Sequence, residues 1–276
     1  LAELMRELLA DNADEYDAEF DVTGAQVGAA IASLANGTGL GLDFWQPAAL
    51  KLLPADACTA LAGIFNTMQR AGAPPWQLLL QLVVFLPKPS GGERPITLLC
   101  VLLRVWERCH RNRFTAWSLA FAGPWDFAVK NSSSLDSALM ASVLDESAAA
   151  AGLETISVYA DFEKFYDSID VAALVRHATA LNYPKFLLSI SVFFMLGPRM
   201  LSDGTHTSHW LQPFNSLVAG SSQSNNFARA FLHELMSAVY LDIQMGASQF
   251  VDDVRLRAEG SPENVVQKLA APLIFT

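Results

Sequence analysis

The chain has 276 residues, 52% of them hydrophobic, and a net charge of −10. That is ample for a sizeable core, suggests one or two domains, and at first sight argues against a nucleic-acid partner. The acidity is local, however: residues 1–50 carry one basic side chain against nine acidic ones, and the remaining 226 residues sum to −2.

No apolar run reaches the roughly 20 residues needed to span a bilayer, so no membrane partner is expected. The longest runs, Leu78–Leu86 and Phe186–Leu196, read as buried core. Cys58, Cys100 and Cys109 are an odd number without CxxC spacing, which favours a reduced, intracellular setting. The chain opens on Leu and stops at Leu273-Ile274-Phe275-Thr276 inside an expected strand, which suggests an excerpt of a longer protein.

In chain order, residues 1–10 look helical and 11–21 form an acidic run that reads as a solvated linker. Val27–Leu34 is a short amphipathic helix. Asn36 to Asp43 is a glycine-rich loop without the Lys of a phosphate-binding loop or a preceding strand, so a plain loop is expected. Pro47–Arg70 is helical with a break at Pro54, and Gly72 and Pro74-Pro75 end it. Leu78–Leu86 is β-capable and runs into a Gly turn flanked by Lys88 and Arg94. A helix over Leu98–Phe114 follows. Six basic residues against two acidic ones make Lys88–Arg113 the one strongly basic segment, expected to face phosphate.

Ser132–Ala151 is a capped helix and Ile156–Ala160 a strand. Val171–Leu181 and Lys185–Met195 are helices, with Asp167 and Asp170 as expected caps. Arg199–Leu211 reads as a hairpin around Asp203-Gly204; His206 and His209 point to opposite faces there, so no metal role is assigned. A helix over Phe227–Tyr240, two strands over Leu241–Met245 and Gln249–Leu256, and a helix over Pro262–Ala271 complete the chain.

The chemistry is expected where apolar strands end in carboxylates. Ile156–Ala160 ends in Asp161, and Gln249-Phe250-Val251 ends in Asp252-Asp253. If the two strands are neighbours, the carboxylates converge, and they repel unless a cation neutralises them. Mg²⁺ suits such oxygen ligands, and two ions about 4 Å apart support an in-line displacement at phosphorus. Adjacent strand residues point to opposite faces, so only one of Asp252 and Asp253 can face the metal squarely, and Asp252 is expected to be the partner of Asp161.

These residues resemble the fingers and palm of a reverse transcriptase of the non-LTR (LINE-like) retrotransposon or group II intron type, over roughly residues 25–276. Gly39–Asp43 resembles the family's N-terminal Gly-x-Gly-x-Asp element. Pro87-Lys88-Pro89 through Arg94-Pro95-Ile96 is similar to its fingers motif, and Asp161 to Asp167 to its first catalytic motif. Gly220–Asn225 resembles Gly-x-Pro-Gln-Gly-Ser, and Phe250–Asp253 the aromatic-x-Asp-Asp hairpin. Ser222, Ser224 and Asn225 depart from the family's Pro, Gly and Ser.

The resemblance implies an α+β right-hand polymerase fold with a small antiparallel palm sheet packed on helices. Residues 1–24 would be an acidic extension, 25–150 a mostly helical fingers region, and 151–276 the palm, cut before the thumb, with 171–215 partly associated with the fingers. It also implies a nucleotidyltransferase that binds an RNA template, a DNA primer and a dNTP. Asp161, Asp252 and Asp253 would hold two Mg²⁺ ions, with Mn²⁺ as an alternative. Lys88, Arg94, Phe165, Tyr166 and Gln223 would contact nucleotide and template, Tyr166 as a gate against a ribose 2′-OH. Without a thumb, weak activity or none is expected of the fragment. The alternative is an inactive nucleic-acid-binding relic of a retroelement. An RNA-templated RNA polymerase is opposed by the bulk of Tyr166.

Overall fold

The computed structural model describes residues 2–89 and 91–270. The expected strand end at Leu273–Thr276 lies outside the described residues, as does Ser90 of the Gly turn.

In chain order the helices Ala2–Glu15 (α1), Gly24–Ala32 (α2), Pro47–Leu50 (α3) and Ala55–Ala71 (α4) precede strands Gln81–Pro87 (β1) and Glu93–Leu98 (β2). Helices Val101–Cys109 (α5), Arg111–Phe121 (α6) and Ser134–Ala150 (α7) lead to strand Glu154–Ala160 (β3). Then come Phe165–Ser168 (α8), Val171–Ala180 (α9), Lys185–Met195 (α10), strand Arg199–Ser202 (β4) and Ser224–Ser237 (α11). Strands Gly246–Phe250 (β5) and Asp253–Gly260 (β6) and helix Pro262–Ala270 (α12) follow. The protein is therefore α+β, with two compact units: residues 1–114 with 166–224, and residues 115–165 with 225–276. Among the described residues no helix is long and apolar enough to cross a membrane.

The first unit is built around α10. Its sequence KFLLSISVFFM is apolar on every side, and such a helix is stable only when surrounded. It packs against α1, α4 and α9. Its Ser189 hydroxyl donates to the carbonyl of Gly72, which closes α4 in a left-handed conformation (φ 64°). The unit's sheet has the order β2-β1-β4. β1 and β2 form the hairpin of the Gly turn, where Gly91 and Gly92 have φ of 91° and 81°, a region that favours glycine. The expected hairpin over Arg199–Leu211 is only partly formed. β4 pairs in parallel with β1, and the returning arm touches it through isolated bridges at Arg199–Leu211 and Ser202–Thr207.

The acidic run 11–21 is not a solvated linker. α1 continues to Glu15, Lys185 bonds both Asp11 and Glu15, and Arg70 bonds Asp21. Phe20 stacks on Phe186 at 5.0 Å, and Tyr16 meets the same ring edge-on at 5.9 Å. Charge dominates the composition of this run, but its two aromatics carry the apolar contact that docks it.

Below these rings lies a buried polar knot. The Gln69 Oε1 accepts from Trp106 Nε1 at 2.9 Å and lies 2.6 Å from His110 Nε2. Its Nε2 donates to the Tyr16 hydroxyl and the Phe20 carbonyl. Burial, reinforced by the nearby Arg113, lowers the His110 imidazole to about 3. Its neutral form is thus the native one. The stability this contributes is fully present above the ordinary histidine value of 6.5 and is lost as the pH falls from there towards 3. We expect urea denaturation to show parent stability falling by roughly 1.4 kcal/mol per pH unit more than that of His110→Asn between pH 6.5 and 4.5. Equal slopes would reject the assignment.

In the second unit the sheet order is β3-β6-β5, antiparallel throughout. One face packs against Val239, Met245 and Val265 through Ala258 and Leu256. The other carries Arg255 and Arg257, whose guanidiniums hold Asp145 of α7 at 2.8 and 2.7 Å. The hydrogen-bonded Arg257 keeps the Asp145 carboxyl below the usual range. Two expected strands differ here. Leu241–Met245 is not a strand; the helix ends in a wide turn over Ala238–Asp242 instead. Gln249–Leu256 is not continuous, because Val251 adopts φ 60° and the chain reverses there.

Candidate active site

Asp161 follows directly on β3, a strand of alternating exposed and half-buried residues. The strand that ends at Phe250 is not its neighbour, contrary to expectation: β3 pairs with β6, which begins at Asp253, and β5 lies beyond it. The β3–β6 register pairs Ala160 with Val254. Asp161 and Asp253 each lie one residue beyond that last pair. Asp253 also closes the β5–β6 hairpin opposite Phe250, while Asp252 sits in the turn.

Asp161 and Asp253 line one cavity of about 500 Å³, together with Tyr159, Phe250 and Arg255 and one face of α7. Asp252 does not line it. Among the described residues no group of three or more His, Cys, Asp or Glu side chains is placed to hold a metal ion. Asp252, the expected partner of Asp161, thus lies on the adjoining turn, and Asp253 lines the cavity instead. The donor set is nevertheless all oxygen. Mg²⁺ binds through one or two carboxylates completed by water and substrate phosphates, so two aspartates lining one cavity with a third on the adjoining turn fit that ion.

The hairpin is braced by residues that sequence reasoning did not single out. The buried Gln249 side chain donates to the Val251 carbonyl at 3.0 Å, supporting the strained turn. Trp125–Phe127 docks along β5 through bonds of 2.7 and 2.9 Å to Gln249. Asp126 in that segment is ion-paired with Arg229 of α11, both side chains being 3% exposed or less. Arg229 also donates to Ser118 Oγ, Asn226 Oδ1 and the Ala128 carbonyl. The two lie 103 positions apart, so no local signal could have paired them.

Phe165 lies in the core of this unit, 4% exposed, with its ring against Phe162 and Phe231 at 5.5 and 6.4 Å. This differs from the expected contact with nucleotide or template: the ring is used in packing. Asp170 caps α9 through a 2.6 Å bond from Ala173 N, as expected, but Asp167 lies inside α8 and caps nothing.

The other candidates belong to the first unit. Lys88 and Arg94 flank the turn of the β1–β2 hairpin and are exposed. Tyr166 is half-buried, and its carbonyl accepts from Leu217 N at 2.6 Å. Gln223 is fully buried, with its Oε1 accepting from the Tyr183 hydroxyl at 2.9 Å. The basic segment is not one phosphate-facing surface. Arg104 donates to the Gly39 carbonyl, Arg108 to Ser33, and Arg113 to the Glu19 carbonyl. These arginines tie the α5 and α6 region to the N-terminal loops. The glycine-rich loop is likewise structural: Asp43 accepts from Leu102 N at 3.1 Å, satisfying a donor at the start of α5. A Cβ on Gly41 would lie 2.4 Å from the Leu99 carbonyl oxygen.

The protein is thus a mixed helix–sheet protein in which two strand-end carboxylates line one cavity. The chain belongs to the reverse transcriptase (RNA-dependent DNA polymerase) family, whose model matches residues 86–273. It is a nucleotidyltransferase domain of the reverse transcriptase type, a family that in general binds an RNA template, a primer and a dNTP and uses divalent metal ions. Comparison with curated proteins finds no match.

Proposed function

We propose that this domain extends a DNA primer on an RNA template, and that it is of the non-LTR or group II intron type. The primer 3′-OH attacks the α-phosphate of the dNTP and pyrophosphate leaves. The observation that carries this reading is the cavity that Asp161 and Asp253 both line, beside the end of the β3–β6 ladder.

Asp161, Asp252 and Asp253 would hold Mg²⁺, or Mn²⁺, as two ions. When bound, the metal supplies charge neutralisation at the attacking and leaving oxygens. Lys88 and Arg94 bind the triphosphate, for which exposed cations flanking a hairpin turn are suited. Tyr166 excludes a ribose 2′-OH. Gln223 and its loop shape the nucleotide and template pocket, and the buried Phe165 supports the site by packing. In this reading residues 25–150 act as fingers and 151–276 as palm.

Tyr166→Ala is expected to raise incorporation of ribonucleotides relative to deoxyribonucleotides by about tenfold or more, since a lost steric clash is worth at least ~1.4 kcal/mol. Primer extension with matched dNTP and rNTP reads this directly. An unchanged preference would remove Tyr166 from the site.

A second reading is an inactive nucleic-acid-binding module. It is favoured by Ser222, Ser224 and Asn225 standing in the Gly220–Asn225 loop, where the buried Ser224 hydroxyl is bonded back to the Val218 carbonyl at 2.6 Å. Binding of an annealed primer on poly(rA) without extension would favour it.

A further inference from the structure

We propose that Glu107 of α5 is a positioning residue that holds the Gly220–Gln223 loop in the shape its nucleotide and template contacts require. The proposal rests on the assignment of that loop to the nucleotide and template pocket. Glu107 is 1% exposed, and its neighbours Leu103, Val105 and Trp106 are fully buried. A carboxylate in such a place is costly unless its oxygens accept hydrogen bonds. Both do so from the loop: Ser221 Oγ donates to Oε1 at 2.5 Å, and Ser222 N donates to Oε2 at 3.2 Å.

The same Ser221 hydroxyl accepts from Gln223 N at 3.1 Å. One oxygen atom thus links the buried carboxylate to the backbone of Gln223. The remaining restraints come from other elements. The Tyr183 hydroxyl holds the Gln223 side chain, and Gly220 lies so close to β2 that a Cβ there would be 2.4 Å from the Thr97 carbonyl oxygen. Glu107 is the acidic member of this cradle. Burial pushes its carboxyl above the ordinary range, and the bonds from Ser221 and Ser222 oppose that shift. A glutamine at 107 keeps the size but has one acceptor oxygen in place of two, and its amide donors would meet the loop's own donors.

The test uses the protein bound to an annealed primer–template, with equilibrium binding of the complementary dNTP and amide hydrogen exchange over residues 217–224. Glu107→Gln is expected to weaken dNTP binding about tenfold, the typical effect of one lost charge-assisted hydrogen bond. Exchange at Ser222 and Gln223 should rise at the same time. Ser221→Ala should reproduce most of this, and the double variant should be little worse than either single one. Leu103→Ala, on the same buried helix, should lower stability without changing dNTP affinity. Unchanged affinity and exchange in both Glu107→Gln and Ser221→Ala would overturn the proposal. If Gln223→Ala leaves dNTP affinity unchanged, the pocket assignment fails instead, and the exchange at Ser222 still decides whether Glu107 holds the loop.

Discussion

Asp161→Asn is expected to reduce Mg²⁺-dependent primer extension by about 10³-fold or more, the scale of removing a principal electrostatic contributor from a transition state. The same substitution should change stability by only about 0.5 kcal/mol, because Asp161 is exposed at the end of its strand and no fold contact depends on its charge. Asp170→Ala gives the contrast. It removes the α9 cap and should cost about 1 kcal/mol while leaving extension intact. Asp252→Asn and Asp253→Asn, run in the same assay, separate the turn carboxylate from the one that lines the cavity with Asp161. Normal extension by Asp161→Asn, with the thermal midpoint preserved, would sink the metal assignment at β3.

Arg229→Ala should be the most destabilising single change in the second unit, by about 3–5 kcal/mol, because it leaves the buried Asp126 carboxylate unpaired. For a domain of this size that corresponds to a fall in thermal midpoint of roughly 10 °C. Three further acceptors lose their donor at the same time, on Ser118, Asn226 and Ala128. Arg229→Lys should rescue little, since a single ammonium cannot reproduce a planar fork with several partners. Replacing both members, Asp126→Leu with Arg229→Met, should be milder than either single loss. Thermal or urea unfolding measures this; a single-variant loss below about 1 kcal/mol would contradict it. Because Asp126 sits in the segment that braces β5, the destabilised variants should also lose extension.

Much of the fold was legible from local pattern. The break at Pro54, the left-handed stop at Gly72, the Asp170 cap and the all-apolar α10 each follow from backbone chemistry or burial within one segment. The Gly91-Gly92 turn is equally local. Expectations failed where a residue's partner lies far along the chain. The arginines of α5 and α6 looked like a phosphate surface, yet Arg104 and Arg108 bond backbone 65 and 75 residues away. The run 11–21 looked solvated by its charge, but Phe20 and Tyr16 find Phe186. Val251 gave no sign of a turn, because a β-branched residue at positive φ is not what composition suggests.

By itself the sequence determined that two apolar strands end in carboxylates, that a basic Gly turn precedes them, and that their order matches the reverse transcriptase family. These features are set by short-range periodicity and turn chemistry, which a linear reading contains. Only the tertiary structure decided that Asp253 lines one cavity with Asp161 while Asp252 stays in the turn. It also decided that Phe165 packs in the core, that Asp126 and Arg229 neutralise each other, and that Glu107 reaches Ser221 and Ser222. Each of these depends on contacts between residues far apart in the chain, and such pairings exist only once the chain has packed.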